Sequence, residues 1–316
     1  MQREIGGYLE LERFSGPMLH EGALALSSGR ACLSYLIEQR EIRKIALPDY
    51  NCDVVEEVCR THGVSVRYYR IGMDLRPETM QCDSDEWFYL VNYYGQLTEE
   101  ELQRFRECFP RLIVDNAQAY FDAPLRDVDT LYTCRKFIGV SDGGFLYTGA
   151  PERPLERDES LGRMNYVLGR FERTAGEFFR EASENNERLS VEPMRMSALT
   201  KNLLHAVDYE RVKRIRTENF RRLHEGLSDR NSLKLRMTEG AYAYPLMLPE
   251  GQRIRKKLIE KKIFVPMLWP NVPKEQPKDS AACRLAEGIL PLPCDQRYGA
   301  EEMAFIIESV KDCLGH

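Results

Sequence analysis

Twice between residues 44 and 121 the chain runs through one alternation: an apolar stretch, a polar loop, an amphipathic stretch, then an apolar stretch again. KIAL, PDYNC, DVVEEVCRTHG and VSVRYYRI make the first round; EWFYLVNYYG, LTEEELQRFRECFP and RLIVDNAQAYF make the second. The apolar runs have strand length and the segments between them place apolar residues at helical spacing, so each round reads as β-loop-α-β. Gly63 is placed to stop the first helix and Thr98 to cap the second. Strands that alternate with helices bury their apolar faces as a parallel sheet under those helices, which makes the first half of the chain α/β.

The same reading extends in both directions. Residues 1–21 predict an arm or short helix with MLHEG as a turn. ALAL is then a strand-like entry, followed by a Ser-Ser-Gly turn and a helix with Cys32, Leu33, Leu36 and Ile37 at helical spacing. Downstream, GVSDGGFLYTG returns as a strand after a Gly-Gly turn, and residues 163–188 form a charged, helix-like segment carrying Phe171, Phe178 and Phe179. From Ser197, an N-cap, the apolar positions Leu199, Leu203, Leu204, Val207, Val212, Ile215, Phe220 and Leu223 predict one long helix with a break or kink. AYAYPLML, a helix around residues 253–262, IFVPMLW, a Pro-rich loop and AEEMAFIIESVKDCL predict a smaller α+β part. A chain of 316 residues suggests about two domains. The expected division is a large α/β domain over residues 1–195, then the linking helix and a small α+β domain over residues 196–316.

In open parallel sheets ligands bind outside the carboxyl ends of the strands. Those ends fall here at residues 49–52, 92–95 and 115–118. Asp115 directly follows the apolar run LIV, as a carboxylate at the mouth of the sheet or as a turn aspartate. A helix beginning after Ser28 and Gly29 turns unpaired N–H groups and its positive dipole end toward an anion such as phosphate; a plain serine N-cap has the same pattern. Only Lys44 and Lys136 are lysines among the first 200 residues, whereas arginine is abundant. A desolvated amine, or one beside another cation such as Arg135, attacks carbonyls to form a Schiff base, which guanidinium cannot do. The alternative for Lys136 is a solvated loop lysine.

Charge and cysteine usage narrow the function classes. The net charge of −5 offers no general attraction to nucleic acid or anionic lipid, and no apolar run reaches the ~18 residues that read as a membrane span. Nine cysteines without a CxxC pair fit reduced thiols, the N-terminal residues lack the apolar core of a secretory signal, and a cytoplasmic location is expected. Histidine spacing predicts no metal site. GxGxxG and GxxxxGK[ST] are absent, which argues against a dinucleotide or P-loop enzyme.

Taken in order, SSGRACL, LPDYNCDVV, VNYYG, VDNAQAYF, CRKFIGVSDGG, MSALTKNLLHAVDYERVKRIRTENFRRL and ILPLPCDQRY resemble the DegT/DnrJ/EryC1/StrS aminotransferases, fold-type I pyridoxal-phosphate enzymes, over nearly the whole chain. The resemblance implies a mainly parallel-sheet large domain, a smaller C-terminal α+β domain and pyridoxal 5'-phosphate as cofactor. It implies that Lys136 binds the cofactor as a Schiff base and that Asp115 pairs with the pyridine nitrogen. Gln118 is implied at the phenolic oxygen, and Ser28, Gly29, Arg30 and the Ala31 N–H at the phosphate. Tyr50, Asn51 and Thr133 complete the implied cofactor site.

The chain departs from the family pattern at several positions. Leu131 stands where a phosphate-binding serine is common, with Thr133 the nearest hydroxyl. Pro193 stands where the partner subunit supplies an asparagine, leaving Arg195 or Asn165 as substitutes. Cys52 stands where an aromatic stacks on the ring, leaving Tyr50 or Tyr94. The implied activity is amino transfer from glutamate or glutamine to a keto-sugar, in most members nucleotide-linked, by a homodimer with shared active sites. The competing readings are an aminotransferase or dehydratase acting on another ketone, against which Lys136 speaks in the dehydratase case, and a non-catalytic binding protein that keeps the fold.

Overall fold

The computed structural model describes residues 5–79 and 81–315. Residues 1–4 of the N-terminal arm lie outside the described part, and residues 5–21 contain no helix. Chain order from there is β1 (Leu24–Leu26), α1 (Gly29–Gln39), β2 (Lys44–Pro48), α2 (Asp53–Thr61), β3 (Ser65–Tyr69), β4 (Trp87–Val91), α3 (Glu99–Cys108), β5 (Leu112–Asp115), β6 (Asp129–Thr133) and β7 (Gly144–Tyr147). These strands form one seven-stranded sheet in the order β1-β7-β6-β5-β4-β2-β3.

The two predicted β-loop-α-β rounds supply its parallel centre: β2 pairs in parallel with β3 and β4, β4 with β5, and β5 with β6. In β4 every residue but Trp87 is buried, and β5 is buried throughout, as strands covered on both faces require. β3, at the edge, keeps only Tyr69 buried. β7 runs antiparallel to both β6 and β1. Only residues 134–143 separate β6 from β7, too short a stretch for the crossover a parallel return needs.

Caps set the helix starts. Ser28 Oγ accepts from Ala31 N–H at α1, and Thr98 with Glu101 forms a reciprocal capping box at α3. The long helix expected to carry a break or kink is broken into two, α6 (Ala198–Leu204) and α7 (Tyr209–Leu227). Asp208 causes the break: its side chain accepts from Arg211 N–H and caps a new helix, while Ser197 caps the first. The charged segment before them folds as α4 (Asn165–Glu172) and α5 (Phe179–Arg188).

Beyond α7 come β8 (Tyr244–Met247), α8 (Gly251–Glu260), α9 (Val272–Glu275), α10 (Ala281–Gly288), β9 (Ile289–Leu292) and α11 (Ala300–Leu314). β8 and β9 form an antiparallel pair. AYAYPLML and ILPLP thus supply the strands, whereas IFVPMLW contains none. Leu223, Leu246, Ile254, Leu290 and Val310 belong to one buried cluster of this part. Met247, Leu285 and Ile289 instead join the cluster under the large sheet.

Candidate active site

The carboxyl ends of β2, β5 and β6 and the start of α1 surround a cleft of ≈ 190 Å³. Ser28, Gly29, Arg30, Asn51, Asp115, Gln118, Thr133 and Lys136 all line it, with Cys52, Leu131 and Arg135. This is the position at which an open parallel sheet presents loops rather than ladder, so polar groups there are free to serve a ligand.

Asp115 ends β5 with its carboxylate held on both oxygens. Oδ1 accepts from Ala117 N–H at 2.7 Å and Oδ2 accepts from the Tyr89 hydroxyl at 2.8 Å. Burial pushes its pKa up, opposed by the Lys136 charge and by these hydrogen bonds. Lys136 follows β6 on a turn in which Phe137 and Ile138 donate to Cys134 O. Its side chain is reachable from solvent, yet the surrounding protein desolvates the amine and lowers its pKa; Asp115 opposes that shift and Arg135 adds to it. The two groups form an opposed pair: desolvation by the surrounding protein disfavours the charged form of each, while each favours the charged form of the other.

The lysine turn is anchored from the distal half of the chain. Arg216 of α7, only 2% exposed, donates to Phe137 O at 3.1 Å, and Gln296 donates to the same oxygen at 2.7 Å. Arg216 also binds Ala241 O and Gln296 Oε1, so one guanidinium ties α7, the β8 approach and the C-terminal loop to the residue next to Lys136.

At the start of α1 the Ala31 N–H is taken by Ser28 Oγ at 3.1 Å, so the N-cap reading of Ser28 holds. Ala31 is fully buried and lies outside the cleft lining. The N–H groups of Gly29 and Arg30, at the first helical positions, have no intrahelical partner to reach. Two guanidinium groups flank them. Arg30 donates to Asn186 O at 2.7 Å and Leu189 O at 2.9 Å, and Arg135 donates to Asn186 Oδ1. Arg135 Nε is buried without a hydrogen-bond partner among the described residues.

Gln118 Oε1 accepts from Tyr94 N–H at 2.8 Å, a bond aimed by the left-handed Tyr94 backbone (φ 53°). Gln118 itself lines the cleft. The Thr133 hydroxyl already donates to Gly143 O at 3.0 Å. Tyr50 and Tyr94, the expected ring-stacking substitutes, are buried behind the lining: Tyr50 packs against Tyr93 and Trp269, and Tyr94 against Tyr242. Tyr50 is thus placed behind the cleft wall, whereas Asn51 and Cys52, next in the chain, line the cleft.

Arg195 pairs with Glu152 and Asn165 with Glu181, and neither lines the cleft of its own chain. The segment around Pro193 lies along β1, with Met194 O accepting from Ser27 N–H and Met196 N–H donating to Ala25 O. Tyr89 is a cleft residue with no signal in the sequence, and Trp269, whose loop is a sequence candidate for completing the partner subunit's site, lines the cleft of its own chain. Tyr89 reaches Asp115 only because β4 and β5 are neighbours, with Val91 opposite Asp115.

No protein-family model and no curated protein matches the sequence. Solved structures do. DesV of S. venezuelae, determined with a ketimine intermediate, is 16% identical, with 96% of this chain and 91% of that chain covered at a TM-score of 0.68. The putative sugar aminotransferase Spr1654 of Streptococcus pneumoniae, in its apo form, is 15% identical over 95% and 91% at 0.68. The aminotransferase TlmJ of Streptoalloteichus hindustanus is 17% identical over 96% and 92% at 0.65. The chain has the fold of these α/β aminotransferases.

Proposed function

We propose that the protein is a pyridoxal 5'-phosphate-dependent aminotransferase that moves an amino group from glutamate or glutamine to a nucleotide-linked keto-sugar. The observation that carries this reading is the pairing of Lys136, a desolvated amine, with the buried carboxylate of Asp115 in one cleft. The cleft's donor set fits the cofactor group by group. The α1 start, with Arg135 Nε, suits a phosphate dianion. Asp115 suits a protonated pyridine nitrogen, the Gln118 amide a phenolic oxygen, and Lys136 a carbonyl carbon.

When bound, the cofactor supplies an electron sink for charge developing at the substrate carbon. The chain's own residues do the rest. Asp115, its carboxylate fixed by hydrogen bonds from Tyr89 and Ala117 that favour its charged form against the effect of burial, would hold a protonated ring nitrogen. Lys136 Nζ, whose pKa desolvation lowers, is the amine in the cleft placed to take a proton from the substrate carbon and return it. Arg216 and Gln296 hold the peptide that orients Nζ. In this reading residues 1–195 form the cofactor domain and residues 196–316 the linking helices and smaller domain. The enzyme works in the cytoplasm as a homodimer. Phe171 and Phe179, 92% and 74% exposed, offer apolar surface for a second copy.

The test has two steps. Borohydride reduction of the cofactor-loaded protein and peptide mapping should place the pyridoxyl group on Lys136; labelling of Lys44 or Lys201 refutes the assignment. Glutamate or glutamine should then convert the loaded protein to its amine form, read by absorbance. A protein that binds the cofactor but ignores every amino donor is a binding protein rather than an aminotransferase.

A further inference from the structure

The C-terminal part of the chain touches the cleft at one side chain. Among the described residues that line it, only Trp269 lies beyond residue 189. Trp269 stands on the apolar segment IFVPMLW, which forms no strand and instead brings a single large ring to the carboxyl end of β2.

Its placement is enforced from several directions. The indole meets Tyr50 edge to face at 4.4 Å between ring centroids and Tyr93 at 5.6 Å. The Asn271 amide donates to Asn51 O at 3.3 Å, joining the Trp269 loop to the loop after β2. Val272 N–H donates to Trp269 O at 3.1 Å, starting α9, and Val272 itself is buried. The Trp269 backbone is left-handed (φ 59°), which a bulky residue adopts only where its surroundings hold it. Left half-buried, the indole keeps part of its surface open to the cleft.

Nothing else in the cleft does this. Tyr89, the other aromatic in the lining, is committed by its hydroxyl to Asp115 and is 2% exposed. The remaining apolar lining is aliphatic, from Val54, Val55, Val58 and Leu131 among others. A planar aromatic ligand gains from an aromatic neighbour in offset or edge contact beyond the area it buries.

We propose that Trp269 is the aromatic contact for the ring of the cofactor, so that the C-terminal part retains the ring while the α1 start and Arg135 retain the phosphate. This rests on the cofactor reading above. The two contributions are separable, because inorganic phosphate uses only the anion end of the cleft.

The experiment titrates cofactor-free wild-type protein and the variants Trp269→Phe, Trp269→Leu and Trp269→Ala with pyridoxal 5'-phosphate and, separately, with inorganic phosphate by calorimetry. Trp269→Leu keeps apolar volume without a ring, so it controls for collapse of the loop. Leu and Ala are expected to weaken pyridoxal 5'-phosphate about tenfold, the size of a lost aromatic contact, with Phe restoring most of it. Phosphate affinity should not change. In a Trp87→Phe background Trp269 is the remaining tryptophan, and its emission should shift with pyridoxal 5'-phosphate but not with phosphate. Leu or Ala variants that bind pyridoxal 5'-phosphate within twofold of wild type overturn the proposal, as does an equal loss for phosphate. A wild-type chain that binds no pyridoxal 5'-phosphate refutes the proposed function itself, a distinct result.

Discussion

Gly144→Ala tests whether the packing of β7 against the α1 cap shapes the anion end of the cleft. Gly144 opens β7, opposite Leu26 of β1 on one side and Thr133 of β6 on the other. A Cβ there would meet Ser28 C and O at 2.6 Å and Cys32 Sγ at 3.0 Å. The first two are backbone atoms of the residue that caps α1, and they cannot swing aside as a flexible side chain can. Strands on both sides block movement of Gly144 itself. The methyl therefore displaces the cap, costing about 1–3 kcal/mol for overpacking. About 1 kcal/mol more is lost if the Ser28–Ala31 cap bond goes. Urea unfolding of the cofactor-free protein should show a loss of about 2–4 kcal/mol, with inorganic phosphate and pyridoxal 5'-phosphate both weakened about tenfold as the α1 start moves. Gly29→Ala is the control at the same corner. Nothing lies within 4 Å of a Cβ at Gly29, so alanine there should be neutral or stabilising by up to about 1 kcal/mol. If Gly144→Ala matches Gly29→Ala in both assays, the packing of β7 against the α1 cap is not what shapes the anion site.

Asp115→Asn should still bind pyridoxal 5'-phosphate but lose at least about 100-fold in turnover, because a neutral amide does not hold the ring nitrogen protonated; near-normal turnover would remove Asp115 from that role. His20, buried against Tyr120 O and the Tyr147 hydroxyl, has its pKa lowered to about 4 by burial. Below pH 6.5 the unfolded chain therefore takes up a proton the folded one refuses, and stability falls as pH drops from 6.5 toward 4. From pH 7 to 5 the His20 share is about 2 kcal/mol, and urea midpoints of His20→Leu should lack that part of the slope. Light scattering at low micromolar concentration should report a dimer, and Phe171→Glu with Phe179→Glu should shift it toward monomer; a fully active wild-type monomer would rule out shared sites.

What the sequence determined is local. The two β-loop-α-β rounds, the caps at Ser28, Thr98 and Ser197, and the isolation of Lys136 among arginines follow from periodicity, capping chemistry and residue choice within about a dozen neighbours. Asp115 at a strand end was legible for the same reason, since LIV is a strand by itself and its last residue must face the loops. Asp208 shows the limit even at short range: a break or kink was legible in the long helical segment, but its place was not, because periodicity runs through residues 205–208 and a cap bond set where one helix ended and the next began.

The tertiary structure decided everything that depends on which strands and loops become neighbours. Tyr89 meets Asp115 across 26 residues through strand register, Phe137 O is held by Arg216 and Gln296 from 79 and 159 residues away, and Trp269 reaches the end of β2 from IFVPMLW. It also buried Tyr50 behind the wall that its neighbours Asn51 and Cys52 line. No local pattern encodes such contacts, because each is set by the summed packing of a whole sheet and its covering helices rather than by the residues that make it.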